Sequence, residues 1–298
     1  MLYWTQKKKG DTAMTPQIHW EVTTLTVPGL PRPLTLMQIT DAHMTLSDQR
    51  DSAYTREVEE DRTGGFGRVG MNLPPAEAFR LTLKAAEGAD CLVFTGDILD
   101  APTAINRETL DGLLNPPKTP YLYITGNHDW SRTWINGRSA REDGDLEVLG
   151  AFLDPRTGYG VCQLDGVRLI GLDDSEYQIS EDALRFFREQ TADGAPCLLF
   201  LHIPLYLPTL LADTMDAWED PILLGAPPEL YRQRTAPVPT ESTLEFCRLA
   251  ETLPNLLGVF TGHLHFPHED LLPSGVRQYV TPPAYQGRGR RIRLVPGE

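Results

Sequence analysis

Five short motifs of metal-binding residues, each standing where an apolar run of strand length ends, constrain this 298-residue chain most strongly. In chain order the motifs are D-A-H at 41–43, G-D-I-L-D at 96–100, G-N-H-D at 126–129, a single histidine at 202 and G-H-L-H at 262–265. The apolar runs before them cover 34–40, 91–95, 121–125, 197–201 and 256–261. Because these runs are short and rich in β-branched and aromatic residues, they predict buried strands.

Helical patterns separate the predicted strands. Pro75 stands at a first helical position before Phe79 and Leu83, and Ser180 is a typical N-cap. A third amphipathic helix is predicted over 241–253. Alternating strands and helices indicate a layered α/β fold, and open α/β sheets bind ligands beyond the carboxyl ends of their strands. We therefore expect all five motifs to meet at one edge.

Length and charge limit the classes of function. A chain of 298 residues with 41% hydrophobic content is expected to form one domain over 1–298. A net charge of −14 argues against a stable nucleic acid partner or an anionic membrane surface, because both require phosphate neutralisation by Lys and Arg. The absence of a long apolar span and of C-x-x-C spacing predicts a cytoplasmic protein with reduced cysteines. The oligomeric state is left open.

Two stretches fall outside the regular alternation. The polar stretch 44–74 and the proline-rich stretch 204–240 are predicted to be irregular lids or specificity segments. Near the C-terminus four arginines lie close together, at positions 288, 290, 291 and 293. For these we favour a solvated strand face over a phosphate-binding role.

The ligand chemistry of the motifs indicates a metal centre. Aspartate, asparagine and histidine without cysteine suit Mn²⁺, Fe or Zn²⁺. The candidate ligands are Asp41, His43, Asp97, Asn127, His202, His263 and His265. A single catalytic zinc typically takes three protein ligands, so seven candidates point to two ions, provided that one carboxylate bridges them.

In this order and spacing the motifs resemble the calcineurin-like metallophosphoesterase superfamily, over residues 34 to about 285. The resemblance implies a four-layer β-sandwich of two mixed sheets flanked by helices. It also implies phosphoester hydrolysis by a hydroxide that two metal ions activate. Three residues would hold the first ion (Asp41, His43 and His265), three the second (Asn127, His202 and His263), and Asp97 would bridge both. His128 would assist the leaving oxygen, and Asp129 would orient His128.

Departures from known branches of that superfamily narrow the range of possible substrates. The sequence G-D-I-L-D-A-P differs from the G-D-x-V-D-R-G of protein phosphatases, and Asp100 stands where purple acid phosphatases place a tyrosine ligand. Asp100 is expected to make a supporting hydrogen bond rather than to bind metal. We favour a small phosphodiester, such as a cyclic nucleotide or a nucleotide derivative. The alternatives are a phosphomonoesterase acting on a small metabolite and a noncatalytic metal-binding scaffold.

Overall fold

A computed structural model of the protein describes residues 17–130, 159–232 and 237–297. In chain order the strands of these ranges are β1 (His19–Pro28), β2 (Leu34–Ile39), β3 (Cys91–Thr95), β4 (Tyr121–Ile124), β5 (Tyr159–Leu164), β6 (Val167–Leu172), β7 (Cys197–Phe200), β8 (Leu256–Thr261), β9 (His268–Leu271), β10 (Arg277–Val280) and β11 (Arg288–Gly297). Each of the five strands predicted before a motif is present, with its end displaced by at most one residue.

The helices of the described ranges are α1 (Ala53–Val69), α2 (Pro75–Ala85), α3 (Ala104–Leu114), α4 (Asn127–Trp130), α5 (Glu181–Thr191), α6 (Pro208–Trp218) and α7 (Glu241–Thr252). Four of them begin after a serine or threonine whose hydroxyl accepts a hydrogen bond from a backbone N–H three residues further on; these caps are Ser52, Thr103, Ser180 and Thr240. Such caps satisfy amide groups that lack a partner within the helix. No helix in the described ranges is long and apolar enough to cross a membrane.

The strands form two mixed sheets. The first has the order β1-β11-β2-β3-β4, and the second has the order β5-β6-β7-β8-β10-β9. In the first sheet β2, β3 and β4 run parallel to one another, and in the second β6, β7, β8 and β10 do so. The parallel strands that precede the motifs therefore end at a common edge within each sheet.

The two sheets pack face to face, and helices cover their outer faces. Between the sheets lie Leu36 and Val93 of the first and Leu198, Phe200 and Phe260 of the second. Apolar residues of α2 and α3 cover the outside of the first sheet, and those of α5 and α7 cover the second. The protein is therefore a four-layer α/β sandwich, as predicted.

The two stretches predicted to be irregular contain helices. Residues 44–74 include α1, and residues 204–240 include α6, with 233–236 lying outside the described residues. Helix α1 escaped the sequence pattern because it contains Gly64, Gly65 and Gly67, and an interior glycine disfavours a helix by about 1 kcal/mol. Burial of Thr55 and Phe66 on one face offsets part of this weak propensity, because tertiary packing supplies most of the stability of a helix in a protein.

Arg290 corrects the expectation of a solvated arginine face. Because β11 lies between β1 and β2, alternate residues point into the protein, and Arg290 is buried while Arg291 and Arg293 are exposed. The Arg290 guanidinium donates to the hydroxyls of Thr23 and Thr281 at 2.7 and 3.1 Å. Thr23 lies on β1 of the first sheet and Thr281 follows β10 of the second, so Arg290 links the two sheets.

Candidate metal centre

The five motifs meet where strands of the two sheets end. Residues 41–43, 96–100 and 126–129 follow β2, β3 and β4 of the first sheet, and residues 202 and 262–265 follow β7 and β8 of the second. The edge predicted from the sequence is therefore shared by both sheets. The side chains on it form three groups of potential ligands in the described residues, and the third (His43, Asp100 and His128) shares His43 with the first.

The first cluster consists of Asp41, His43 and His265, whose potential ligand atoms lie within 4.8 Å of one another. His265 Nε2 is 3.2 Å from Asp41 Oδ1 and 3.1 Å from His43 Nε2. Asp41 Oδ1 is buried and has no hydrogen bond of acceptable geometry among the described residues. The cluster thus directs one carboxylate oxygen and two imidazole nitrogens at a common point.

The second cluster consists of Asp97, Asn127, His202 and His263. His202 Nε2 lies 3.2 Å from each of three atoms, namely Asp97 Oδ2, Asn127 Oδ1 and His263 Nδ1. Asp97, His202 and His263 are all buried. Two oxygen acceptors and two imidazole nitrogens therefore converge here.

Asp97 lies between the clusters. Its Oδ2 is 3.2 Å from His202 Nε2 in the second cluster and 3.8 Å from His43 Nε2 in the first. Its Oδ1 accepts a hydrogen bond of 2.7 Å from the backbone N–H of His128. One oxygen of Asp97 is held by the backbone, while the other faces both clusters.

Backbone strain is concentrated at this edge. Nine non-glycine residues in the described ranges have positive φ, and five of them are candidate ligands: Asp41, His43, Asp97, His263 and His265. The left-handed region is unfavourable for a residue with a Cβ, and such outliers tend to cluster at functional sites. The fold therefore maintains the unfavourable backbone that aims these side chains inward.

Two motif glycines allow the clusters to approach one another. A Cβ at Gly126 would lie 2.2 Å from Asp97 Oδ1, and a Cβ at Gly262 would lie 2.0 Å from Thr40 Oγ1. Both distances are far below van der Waals contact. At these positions glycine is required for its small size, since neither has a positive φ.

Each histidine of the two clusters has its other ring nitrogen within hydrogen-bond distance of a polar group. His43 Nδ1 lies 2.8 Å from Asp100 Oδ1, and His202 Nδ1 lies 2.8 Å from the Thr95 carbonyl oxygen. Two hydroxyls serve the remaining pair, with Tyr285 Oη 3.2 Å from His265 Nδ1 and Tyr177 Oη 3.0 Å from His263 Nε2. Partners of this kind orient the imidazole ring and place its lone pair on the opposite nitrogen.

The electrostatics of the centre favour a cation. Burial lowers the pKa of His43 to about 4, which leaves it neutral. Burial alone would also lower the pKa of His202, but Asp97 and Asp41 outweigh it and raise that pKa to about 10. Carboxylates that can keep a proton on a buried imidazole also attract a metal ion.

These residues fit metal ions. With Nδ1 of His43 donating to the Asp100 carboxylate, the Nε2 lone pair of His43 faces His265 Nε2 at 3.1 Å. Neutral imidazole with carboxylate is the usual ligand form for divalent metal ions. The two clusters are therefore candidate metal sites.

His128 lies beside the clusters, with its ring against Asp100. His128 Nδ1 is 3.3 Å from Asp100 Oδ1, and the Asp129 carboxylate accepts hydrogen bonds from three backbone amides, those of Asp97, Leu99 and Gly126. Backbone amides in a tight buried turn require acceptors, and Asp129 supplies them. Asp129 therefore has a structural role in this turn, and its orienting of His128 stays a prediction.

Asp100 makes the supporting hydrogen bonds expected of it, including one from a residue that the sequence did not single out. The Arg62 guanidinium of α1 donates to both Asp100 oxygens. Burial alone would raise the pKa of Asp100, but hydrogen bonds from Arg62, His128 and His43 outweigh it and hold the pKa well below 3.8.

Sequence analysis missed several residues that support the centre: Arg62, Phe66, Asp174, Tyr177 and Tyr285. Asp174 follows β6 at a strand end, the same signal that identified the motifs, and it accepts hydrogen bonds from the amides of His202 and Ile203. It could therefore have been found. The others lie in helices, turns or loops, and the sequence holds no local signal that relates them to the centre.

Three solved structures are among those similar to this chain. A dimetal phosphatase from Danio rerio is 15% identical, with 85% of this chain and 88% of that chain covered and a TM-score of 0.48. A phosphopantetheinyl hydrolase from Mycobacterium tuberculosis is 17% identical, with 85% and 90% covered and a TM-score of 0.41. A purple acid phosphatase from yellow lupin is 12% identical, with 88% and 45% covered and a TM-score of 0.49.

The chain matches the model of a known protein family over most of its length. No curated protein matches the chain by sequence. The model of the calcineurin-like phosphoesterase family matches residues 34–267, a range that contains all five motifs. The chain belongs to the calcineurin-like phosphoesterase family and is a hydrolase of phosphoesters.

Proposed function

We propose that this protein hydrolyses small phosphodiesters, such as a cyclic nucleotide or a nucleotide derivative, at a centre of two Mn, Fe or Zn ions. The observation that carries the proposal is the position of Asp97 Oδ2, which faces His202 in one cluster and His43 in the other. In this proposal Asp97 would contribute to both metal sites. The first ion would be held by Asp41, His43 and His265, and the second by Asn127, His202 and His263.

His128 would carry the proton chemistry. Two bound cations supply Lewis acidity toward phosphate oxygens and make hydroxide available near neutral pH. Burial alone would lower the pKa of His128, but Asp97 and Asp100 outweigh it and raise the pKa, which favours a protonated ring. With Nδ1 held by Asp100, Nε2 is the nitrogen that can donate to the leaving oxygen. Such acid catalysis is typically worth ~10²–10⁴-fold in rate.

The charge balance beside the centre supports a diester. A phosphodiester carries one negative charge, whereas a phosphomonoester near neutral pH carries up to two and needs more compensating cations. The positive charge of Arg62 is already matched by Asp100, to which it is bonded through two nitrogens. The net charge of −14 likewise supports a small substrate over a long nucleic acid.

A comparison of two chromogenic substrates tests the proposal. The protein loaded with Mn²⁺ is expected to turn over bis-p-nitrophenyl phosphate with a higher kcat/KM than p-nitrophenyl phosphate, and chelation should abolish both activities. A preference for the monoester would contradict the diester assignment. Stoichiometric binding of two metal ions without hydrolysis of any phosphoester would favour the noncatalytic scaffold.

A further inference from the structure

Asp100 is the point at which three side chains of the centre meet. Its carboxylate is fully buried, and Oδ1 lies 2.8 Å from His43 Nδ1 and 3.3 Å from His128 Nδ1. The Arg62 guanidinium bonds to both oxygens, with Nε on Oδ2 and an Nη2 nitrogen on Oδ1. One carboxylate thus contacts a candidate metal ligand, the candidate proton donor and a guanidinium.

The guanidinium comes from α1, a helix outside the five motifs. One turn after Arg62, the Phe66 ring stacks on the His43 imidazole, with ring centroids 4.7 Å apart and an interplanar angle of 21°. Arg62 Cζ in turn lies 5.0 Å from the Phe66 ring centroid. Helix α1 therefore reaches the first cluster by two routes, one through Phe66 and one through Asp100.

The geometry of a guanidinium suits this position. Its planar fork can bind both oxygens of a carboxylate, which fixes the rotation of the carboxylate as well as its charge. The orientation of Asp100 then determines where the N–H groups of His43 and His128 point. Partners that act one step behind a metal ligand typically change metal affinity or activity by about 10- to 100-fold when they are removed.

We propose that Arg62 is a positioning residue for hydrolysis. It acts through Asp100, which orients His43 toward the first ion and His128 toward the leaving oxygen. This inference rests on the proposed function. Arg62 acts on the substrate indirectly, so its removal changes kcat and the affinity for one metal ion more than it changes KM.

Metal binding by variants of the full chain tests the inference without any substrate. The metal-free protein is titrated with Mn²⁺ alone, and free Mn²⁺ is followed by electron paramagnetic resonance. Arg62→Ala is expected to weaken one of two Mn²⁺ equivalents by about 10-fold or more and to leave the other within about twofold. The matched control is Arg56→Ala, an exposed arginine on the same helix, which should change neither equivalent.

A double-variant cycle tests whether Arg62 acts through Asp100. In the wild-type background Arg62→Ala should lower kcat for bis-p-nitrophenyl phosphate by about 10-fold or more, with KM within about twofold. In an Asp100→Asn background the same change should alter kcat by less than about twofold, because Arg62 then has no Asp100 carboxylate to act through. Arg62→Lys, which keeps the charge but loses the fork, should fall between Arg62→Ala and the wild type.

Three results would overturn the inference. These are equal weakening of both Mn²⁺ equivalents, a rise in KM with kcat and metal affinity unchanged, and full additivity of the two substitutions. If Arg62→Ala alone does not fold, two other variants still test the inference. Arg62→Lys keeps a positive charge beside the Asp100 carboxylate, and the Arg62→Ala/Asp100→Asn double variant removes that carboxylate together with the guanidinium. A wild-type protein that binds two Mn²⁺ ions but hydrolyses nothing would contradict the proposed function, and the Mn²⁺ titrations would still judge the positioning of His43.

Discussion

The two clusters of the candidate centre are held in place by different parts of the molecule. In the second cluster the backbone dominates: the Thr95 carbonyl holds His202 Nδ1, and the amides of His202 and Ile203 donate to Asp174. In the first cluster side chains from other segments dominate. His43 is held by Asp100 and stacked on Phe66, and His265 is held by Tyr285.

This difference indicates which parts of the sequence control each ion. The second cluster depends mainly on strand ends and motif backbone, with Asp174 and Tyr177 as supports from outside the motifs. The first cluster depends on α1 and on the short turn at Ala284–Gln286, neither of which belongs to a motif. Substitutions in α1 should therefore change the affinity of the first ion more than that of the second.

Asp97 is the exception to this division, because its Oδ2 faces both clusters. We expect Asp97→Asn to lose both metal ions, as measured by elemental analysis, and to lower kcat/KM by more than about 100-fold, since even outer partners are worth about 10- to 100-fold. Asp165→Asn is a matched control, because Asp165 also has positive φ but lies on the surface. Full retention of two ions and normal turnover by Asp97→Asn would show that Asp97 does not bridge.

His128 should separate catalysis from metal binding. His128→Ala is expected to lower kcat by ~10²–10⁴-fold because it removes the proposed proton donor. Both metal ions should remain, since His128 Nδ1 lies against Asp100, 3.3 Å from both its Oδ1 and its backbone carbonyl oxygen. Elemental analysis beside steady-state kinetics provides the check, and loss of a metal ion from His128→Ala would make it a ligand instead.

Two tyrosine hydroxyls allow the clusters to be perturbed one at a time. Tyr285→Phe removes the partner of His265 and should weaken the first ion by about 10-fold, whereas Tyr177→Phe removes the partner of His263 and should weaken the second by a similar factor. Each variant is the control for the other in an Mn²⁺ titration. The division into two clusters fails if both variants weaken the same equivalent.

Glu59 provides a smaller, stability-based test of α1. Burial, followed by the charge of Asp100, raises the pKa of Glu59 from 4.5 to about 9, so between these values the folded state binds more protons than the unfolded state. The contribution of Glu59 to the free energy of unfolding is therefore fully present below pH 4.5. It falls as pH rises toward 9, by up to about 1.4 kcal/mol per pH unit.

The substitution Glu59→Gln should remove that slope from the free energy of unfolding, measured by urea denaturation across this pH range. The exposed neighbour supplies the control, since Glu60→Gln should preserve the slope of the wild type. A slope that persists unchanged in Glu59→Gln would mean that another group titrates.

Local patterns in the sequence predicted a layered α/β fold and the convergence of the motifs, and the family resemblance implied the four-layer sandwich. The run 91–95 and the run 256–261 coincide with β3 and β8, since each begins after a polar turn and ends at a motif. Helix α1 was not predicted because its glycines and weak apolar periodicity conceal it. Its contacts with His43 and Asp100 arise only when the chain folds.

The support of the histidines shows the same division. The pairing of His43 with Asp100 could be expected in outline, because both residues lie in motifs that follow adjacent parallel strands. The contact of Tyr285 with His265 could not, because it depends on the packing of the Ala284–Gln286 turn against the centre. Local patterns thus identify candidate ligands, whereas tertiary packing decides how each is oriented.

The central claim is that two metal ions share Asp97 at this edge of the sandwich. Anomalous X-ray diffraction from a crystal of the Mn²⁺-loaded protein tests it most directly. We expect two peaks about 3.5 to 4 Å apart, one beside Asp41, His43 and His265, the other beside Asn127, His202 and His263, with Asp97 between them. A single peak, or two peaks without Asp97 between them, would contradict the account.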